Sequence, residues 1–364
     1  MLQIGIIGLP NVGKSTLFNA LTRAHAEVSN YPFTTIDRNE AIVPVRDERL
    51  DVVAAMFHQE KKVPTAIKFV DIAGLVKGAH RGEGLGNQFL AHIREVDAVL
   101  HLVRLFQSPT VAHVEGNIDP VRDVETVELE LMMKDLETVE RRLEKAQRGA
   151  RVGDKKAVEE MEILHRIQAH LSATQPIRTM PTDDAVVTLL NELFLLTAKP
   201  VLYCANVSEE PSLLEQSLLE TLEAWAQERQ AKLITISAKI AADLAEFEES
   251  EAQALASELG IDQTAWEKVV RASYELLDVV TFFTAVGKEA AAWTVPRHTP
   301  APKAAGKIHS DFEAGFIRAE VCAFNDLVAC GSWHAAHDKG LVRVRGKDYL
   351  VQDGDVIHFR FATR

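Results

Sequence analysis

Cysteine is scarce in this chain. Cys204, Cys322 and Cys330 are the three among 364 residues. They form no CxxC pair, and an odd number cannot all pair, so neither a disulfide framework nor a zinc knuckle organises the fold. Reduced thiols in a cytoplasmic protein are the simplest reading. Positive charge is also short: 40 Lys and Arg against 53 Asp and Glu leave a net −13. That balance excludes a surface that coats nucleic acid as a whole and confines any such contact to a local patch. No DNA partner is expected. Long uncharged runs are missing too; even LLNELFLLTAKPVLY carries Glu192 and Lys199, so no membrane contact is expected. The opening MLQIGIIGLP has no basic leader and little room before Pro10, and reads as a core strand rather than a signal peptide. What remains, 47% hydrophobic and 26% charged, is ordinary globular composition, long enough for two or three domains.

Residues Leu2 to Ile7 read as a continuous apolar strand, followed by Gly8-Leu-Pro-Asn-Val-Gly-Lys-Ser15 and a helical run from Thr16 to Ala24. This is G-x-x-x-x-G-K-[ST] in the strand–loop–helix setting that its mechanism requires. Glycines let the loop wrap closely, so that backbone N–H groups and the helix N-terminus face phosphate. Asn11, Val12, Gly13, Lys14, Ser15 and Thr16 are the candidate phosphate-binding residues, with Lys14 bridging the β- and γ-phosphates and the Ser15 hydroxyl on Mg²⁺.

Two further elements follow in order. Phe69-Val-Asp-Ile-Ala-Gly-Leu75 is a strand ending in D-x-x-G, where Asp71 can hold Mg²⁺ through water and the Gly74 amide can sense the γ-phosphate. Asn30-Tyr-Pro-Phe-Thr-Thr35 lies where a switch threonine should complete the magnesium shell. Glycines at 78, 82, 84 and 86 suit a loop that orders only on bound γ-phosphate. The water-orienting glutamine that often follows D-x-x-G is missing: Leu75 stands there. Hydrolysis must use another group or be slow.

GLPNVGKST, NYPFTT, DIAGLVKGAHRGEGLGNQFL and ANVSE together closely resemble the Obg-like ATPase family, in its YchF subfamily of translation-factor-related P-loop proteins. The resemblance covers essentially the whole chain, including AAGKIHSDFEAGFIRAE and KDYLVQDGDV, which are similar to that family's TGS domain. It implies an α/β fold: a Ras-like P-loop NTPase domain, an inserted α-helical coiled-coil hairpin and a C-terminal β-grasp (TGS) domain. It also implies Mg²⁺-dependent hydrolysis of ATP in preference to GTP, association with the ribosome or ribosomal RNA, and Thr35 rather than Thr34 as the switch threonine.

The residues divide the chain accordingly. Leu129, Met132, Leu136, Val139, Leu143, Ala146 and Ala150 keep a three-four spacing, Gly149 and Gly153-Asp154 break it, and Val158, Met161, Leu164, Ile167 and Leu171 restart it. Residues 125–181 are thus expected to be the hairpin, 1–124 and 182–276 a discontinuous nucleotide domain, and 277–364 the TGS-like module. A helix is expected from Thr182 to about Ala198, parallel strands at Pro200–Ala205 and Leu233–Lys239, and short strands at Thr281–Val286, Ala291–Val295, Phe316–Val321 and Val356–Phe361.

Asn206-Val-Ser-Glu209 then falls on the base side of the pocket, where a guanine reader carries Asn-Lys-x-Asp. Val207 replaces the lysine, and Glu209 replaces the aspartate with one methylene more. Adenine offers a 6-amino donor and an N1 acceptor, which a backbone amide and carbonyl near Val207 could pair, so the loop reads as tuned away from guanine. His113, in a loop after the strand Asp97–Val103, is the candidate general base; a histidine held by loop packing is the alternative. Two other functions stay open: a GTPase of ribosome assembly, and a nucleotide-dependent interaction protein with vestigial hydrolysis. Finally, residues 277–364 carry eleven basic and ten acidic side chains in a chain of net −13, and Arg343-Val-Arg-Gly-Lys347 makes this module a candidate RNA-facing surface.

Overall fold

A computed structural model describes residues 1–23, 39–72, 85–286 and 288–362. Two compact units emerge, one of residues 2–42 and 68–276, the other of Met1, 43–67 and 277–364. The strands, in chain order, are β1 (Leu2–Ile7), β2 (Glu40–Pro44), β3 (Lys61–Val63), β4 (Ala66–Asp71), β5 (Ala98–Arg104), β6 (Val201–Asn206) and β7 (Lys232–Ile236). They continue with β8 (Val279–Val286), β9 (Glu289–Pro296), β10 (Phe316–Ala323), β11 (Arg343–Arg345) and β12 (Asp355–Phe361).

The nucleotide-type sheet runs β2-β4-β1-β5-β6-β7. Its β1–β5, β5–β6 and β6–β7 pairs are parallel. Both faces of such a sheet are covered by helices, which is why β5 is buried at every residue and reads as an apolar run. Helix Lys14–Arg23 follows β1, and the ligand side of a parallel sheet is the carboxyl end of its strands.

The second sheet runs β11-β10-β12-β8-β9-β3. β8 and β9 form an antiparallel hairpin, and β12 lies parallel to β8, the arrangement of a β-grasp. Helix Ala301–Ile308 packs Ala301, Ala304 and Ala305 against Phe282, Val295, Phe316 and Ile357. The four strands expected here all form. Residues 43–67, expected within a nucleotide domain spanning 1–124, group instead with this module. Leu50, Val53 and Ala54 of helix Glu48–Met56 pack with Phe283, Ala290 and Val356, and β3 pairs in parallel with β9. An amphipathic helix advertises that it has a core face, not which core it joins. The expected RNA-facing strand β11 sits at a sheet edge; Arg343 and Val344 are exposed, while the Arg345 guanidinium lies 5.0 Å from the Tyr349 ring centre.

The hairpin consists of helices Pro120–Arg151 and Lys155–Ser172, and it belongs to the nucleotide-binding unit. Met132, Val139, Leu143 and Ala146 pack against Leu164, Ile167 and Leu171 as the three-four spacing predicts. Three details differ. Leu129 is exposed and borders a cleft with Trp225 and Arg229, because the helix meets the NTPase body rather than its partner there. Ala157, not Val158, faces the seam. The helix continues through Gly149, whose added Cβ would lie 2.9 Å from the Ala157 Cβ; Gly153, at φ +86°, ends it. Gly149 therefore lets the two helices touch. Replacing it with valine is expected to destabilise by about 1–3 kcal/mol despite the higher helix propensity, as calorimetric unfolding would show.

The helix expected at 182–198 is shorter, Asp184–Leu193, capped by Asp183 and stopped by Phe194 in the left-handed region. Its Leu189 and Leu193 join the hairpin core. Two buried polar attachments fix the hairpin base. Asp135 accepts from Leu196 N–H (2.7 Å), Thr197 N–H (2.8 Å) and the Thr197 hydroxyl (2.7 Å). The Tyr203 hydroxyl on β6 donates to Glu128, and Arg178 donates to both of them. Among the described residues no helix is long and apolar enough to cross a membrane.

Candidate nucleotide-binding site

β1 delivers the chain into the phosphate loop with Ile4, Ile6 and Ile7 buried. Gly8 stands at φ +149°, and a Cβ there would lie 2.4 Å from the Leu102 carbonyl oxygen. At Gly13, φ +100°, it would lie 2.4 Å from Asn206 Nδ2. Gly8 is thus demanded by close backbone approach, and Gly13 by the Asn206 side-chain amide together with its positive φ. Val12 is buried as the loop's anchor, and the Leu17 N–H donates to the Gly13 carbonyl at 3.0 Å to start the helix. Asn11, Ser15 and Thr16 are exposed and so available to a ligand.

Lys14 is the buried member of the loop. Its Nζ donates to the Gly8 and Leu9 carbonyls at 3.1 and 2.8 Å, oxygens that occupy the role phosphate oxygens would take. Burial pulls its pKa down to about 8, against the opposing pull of the Asp71 carboxylate. Burial in turn raises Asp71, while Lys14 and a hydrogen bond to the Ser15 side chain lower it. Lysine, serine hydroxyl and carboxylate, separated by up to 57 positions, therefore meet at one point. One carboxylate and one hydroxyl, with the remaining positions left for phosphate oxygens and water, suit a hard, octahedral cation such as Mg²⁺. Thr35, Gly74 and Leu75 lie outside the described residues.

Asn206 has a different part from the one its position implied. It is buried at the end of β6; its Nδ2 donates to the Val12 carbonyl (2.9 Å) and its Oδ1 accepts from Ala238 N–H (2.9 Å). The side chain clamps the phosphate loop to the Ser237-Ala-Lys239 loop. The expected adenine-pairing amide is also engaged: Val207 N–H donates to the Ile236 carbonyl, and Ser208 N–H to Glu215. Base contacts by N–H groups of Val207 and Ser208 are therefore closed in this geometry. Val207 itself is buried, whereas Glu209 is exposed and close enough to help hold Lys239 charged.

His113 is held beside the loop by hydrogen bonds on both ring nitrogens. Its side chain is buried, with Nε2 2.8 Å from Asp123 Oδ2 and Nδ1 accepting from Glu115 N–H at 3.2 Å. With the Nδ1 lone pair taken by the Glu115 N–H and Nε2 on Asp123, both ring nitrogens are engaged in this geometry. This is the packing role that the sequence left open beside that of a general base. The residue the sequence reading missed is Arg104, buried at the end of β5. Its guanidinium donates to the carbonyls of Phe106 (3.0 Å), Asn11 (3.3 Å), Val111 (2.8 Å) and Ala112 (3.4 Å) and stacks on the Phe106 ring. Asn11 Nδ2 reaches the same Ala112 carbonyl. A lone cation closing the apolar run AVLHLVR was the available signal, since a buried charge needs a specific reason to be there.

Comparison with known proteins agrees with this geometry. The family model described as "50S ribosome-binding GTPase" matches residues 3–146, and the model for the YchF-type GTPase C-terminal domain, described as of unknown function, matches residues 279–362. The chain is 49% identical to the ribosome-binding ATPase YchF of Bacillus subtilis, with 99% of each chain covered. It is 42% identical to Obg-like ATPase 1 of Rattus norvegicus, covering 100% of this chain and 93% of the relative. The solved structure of the Schizosaccharomyces pombe YchF GTPase superposes with a TM-score of 0.87 at 37% identity, over 99% of this chain and 97% of that one. Near-complete alignment at this identity, over a phosphate loop, hairpin and β-grasp in the same order, establishes that the chain belongs to the YchF/Obg-like ATPase family.

Proposed function

We propose that this P-loop nucleoside triphosphatase hydrolyses ATP in preference to GTP, with Mg²⁺, and uses the nucleotide cycle as a switch on the ribosome. The observation that carries the hydrolase reading is the meeting of Lys14, Ser15 and Asp71 at the mouth of a glycine-clamped loop. Ser15 and Asp71, with Thr35 completing the shell, would hold the metal; when bound, the ion would neutralise charge developing on the phosphates. Lys14 would exchange its two loop carbonyls for phosphate oxygens. The helix Lys14–Arg23 directs its N-terminus at the same place.

The preference for adenine is supported by what the base loop lacks. A guanine reader needs a carboxylate set to accept from N1–H and the 2-amino group; Glu209, one methylene longer than the usual aspartate, is exposed. Val207 offers an apolar wall in place of a lysine stem. Several relatives are named as ribosome-binding ATPases, which supports the ribosomal part. The competing reading, a GTPase, draws on the names of the N-terminal family model and of the yeast structure.

Non-hydrolysable ATP and GTP analogues, titrated side by side, separate these readings. ATP is expected to bind at least about tenfold more tightly, a difference of about 1.4 kcal/mol. Equal affinities would remove the preference and return the GTPase reading.

A further inference from the structure

The basic residues of the hairpin fall into two groups. Along its stem they are paired: Arg122 with Asp123 (2.8 Å), Lys134 with Glu137 (2.8 Å), Arg142 with Glu160 and with Glu192 (3.2 Å), Arg166 with Asp183 (3.1 Å) and Arg178 with Glu128. Beyond Arg142 the pattern changes. Lys145, Arg148, Arg151, Lys155 and Lys156 are all exposed. None of the five has an ion-pair partner among the described residues. Asp154, the one acid between Lys145 and Lys156, caps the second helix by accepting from Lys156 N–H at 3.0 Å.

We propose that this unpaired basic tip is an RNA-binding surface that grips the phosphate backbone of ribosomal RNA; this rests on the ribosome reading above. Three physical points support it. Lys145 and Arg148, and Arg148 and Arg151, are i,i+3 neighbours on the helix surface, rising about 4.5 Å at each step. Lys155 and Lys156 extend the patch across the turn. Second, the tip stands far from the acidic body of the protein, and the acids beside it are Glu144, Asp154 and Glu159 of the hairpin itself. Arg148 lies 25 residues beyond Asp123 on one helix, about 38 Å along its axis. That is several Debye lengths at physiological salt, so the body's negative charge does not cancel the tip's attraction. Third, the apex is bare: Val152 is 84% exposed and nothing lies within 4 Å of a Cβ built on Gly153. One exposed valine is too little apolar surface to enter a bilayer, which disfavours a lipid surface as the partner.

The test uses the full chain with Lys145, Arg148, Arg151, Lys155 and Lys156 all replaced by glutamine. Binding to purified ribosomes and to an RNA duplex of about 20 base pairs is measured across a potassium chloride series. The variant is expected to bind ribosomes at least about tenfold more weakly, with the slope of log affinity against log salt shallower by about 3–4. Basal ATP turnover and thermal midpoint should not move, since these side chains touch neither the phosphate loop nor the helix seam. Unchanged ribosome affinity and slope in the variant overturn the proposal. Wild-type protein that binds neither ribosomes nor the duplex overturns both this proposal and the ribosome reading. Wild-type binding to ribosomes that the variant retains overturns the tip alone. Loss of binding to vesicles containing phosphatidylserine, with no RNA binding by wild type, would reassign the tip to a membrane surface.

Discussion

Lys14→Ala is expected to lower triphosphate turnover by at least about a thousandfold, roughly 4 kcal/mol of transition-state stabilisation. The reason is positional. Lys14 is the cation whose Nζ already sits between the Gly8 and Leu9 carbonyls, where the β- and γ-phosphates would replace them. Phosphoryl transfer develops charge on those oxygens, and a desolvated ammonium acts on it far more strongly than an exposed one. Loss of fold is not an alternative explanation. The folded pKa of Lys14 is lowered from 10.5 to about 8, so at neutral pH its protonated form costs the folded state stability. Any contribution to stability from this group exists above its unfolded pKa and is lost as pH falls through about 8. Relief of that cost offsets the loss of its hydrogen bonds to the Gly8 and Leu9 carbonyls, so the alanine variant should remain folded at the assay temperature while failing to release phosphate. Wild-type turnover in a folded Lys14→Ala protein would move the active site elsewhere.

Asp135→Ala should be the most damaging single change to the hairpin's attachment. Asp135 is fully buried, and its carboxylate accepts two backbone N–H groups and one hydroxyl from the 196–197 turn. Alanine leaves three buried donors unpaired, and each costs about 1–3 kcal/mol less whatever a water can recover. A loss of about 4 kcal/mol near pH 5 is expected. The pH dependence has a definite sign. Burial raises the Asp135 pKa from 3.8 to about 6, against the hydrogen bonds that lower it. A carboxylate raised in the folded state contributes stability that is fully present below its unfolded pKa and lost as pH rises through about 6. The gap between wild type and Asp135→Ala should therefore narrow by about 1 kcal/mol between pH 5 and pH 8. Denaturant titrations at the two pH values measure it; a gap that widens with pH would mean that the ionised carboxylate is the favoured form.

The chemistry was legible where it is local. A phosphate loop is a run of eight residues whose backbone makes the site, so Gly8, Gly13, Lys14 and Ser15 declare themselves by spacing alone. The hairpin seam was legible for a similar reason: Met132, Val139, Leu143 and Ala146 repeat at helical period, and each needs a partner from the returning helix. That the sheet strands Pro200–Ala205 and Leu233–Lys239 run parallel followed from alternating strands and helices; their order did not.

What depended on contacts between distant segments was not legible. Asn206 carries a sequence signature for base reading, yet 194 residues separate it from the Val12 carbonyl that occupies its amide. His113 had the right chemistry near the right strand; only the folded chain brings Asp123 and the Glu115 amide onto its two nitrogens. The helix 48–56 looked like part of the nucleotide domain because amphipathicity fixes which face is buried and says nothing of the surface that buries it. The sequence by itself determined the phosphate-binding element, the helical insertion and the family. The tertiary structure alone decided which polar side chains are engaged in holding loops together and which are left for a ligand. A polar side chain has a limited number of donors and acceptors, and three-dimensional proximity decides which partners fill them.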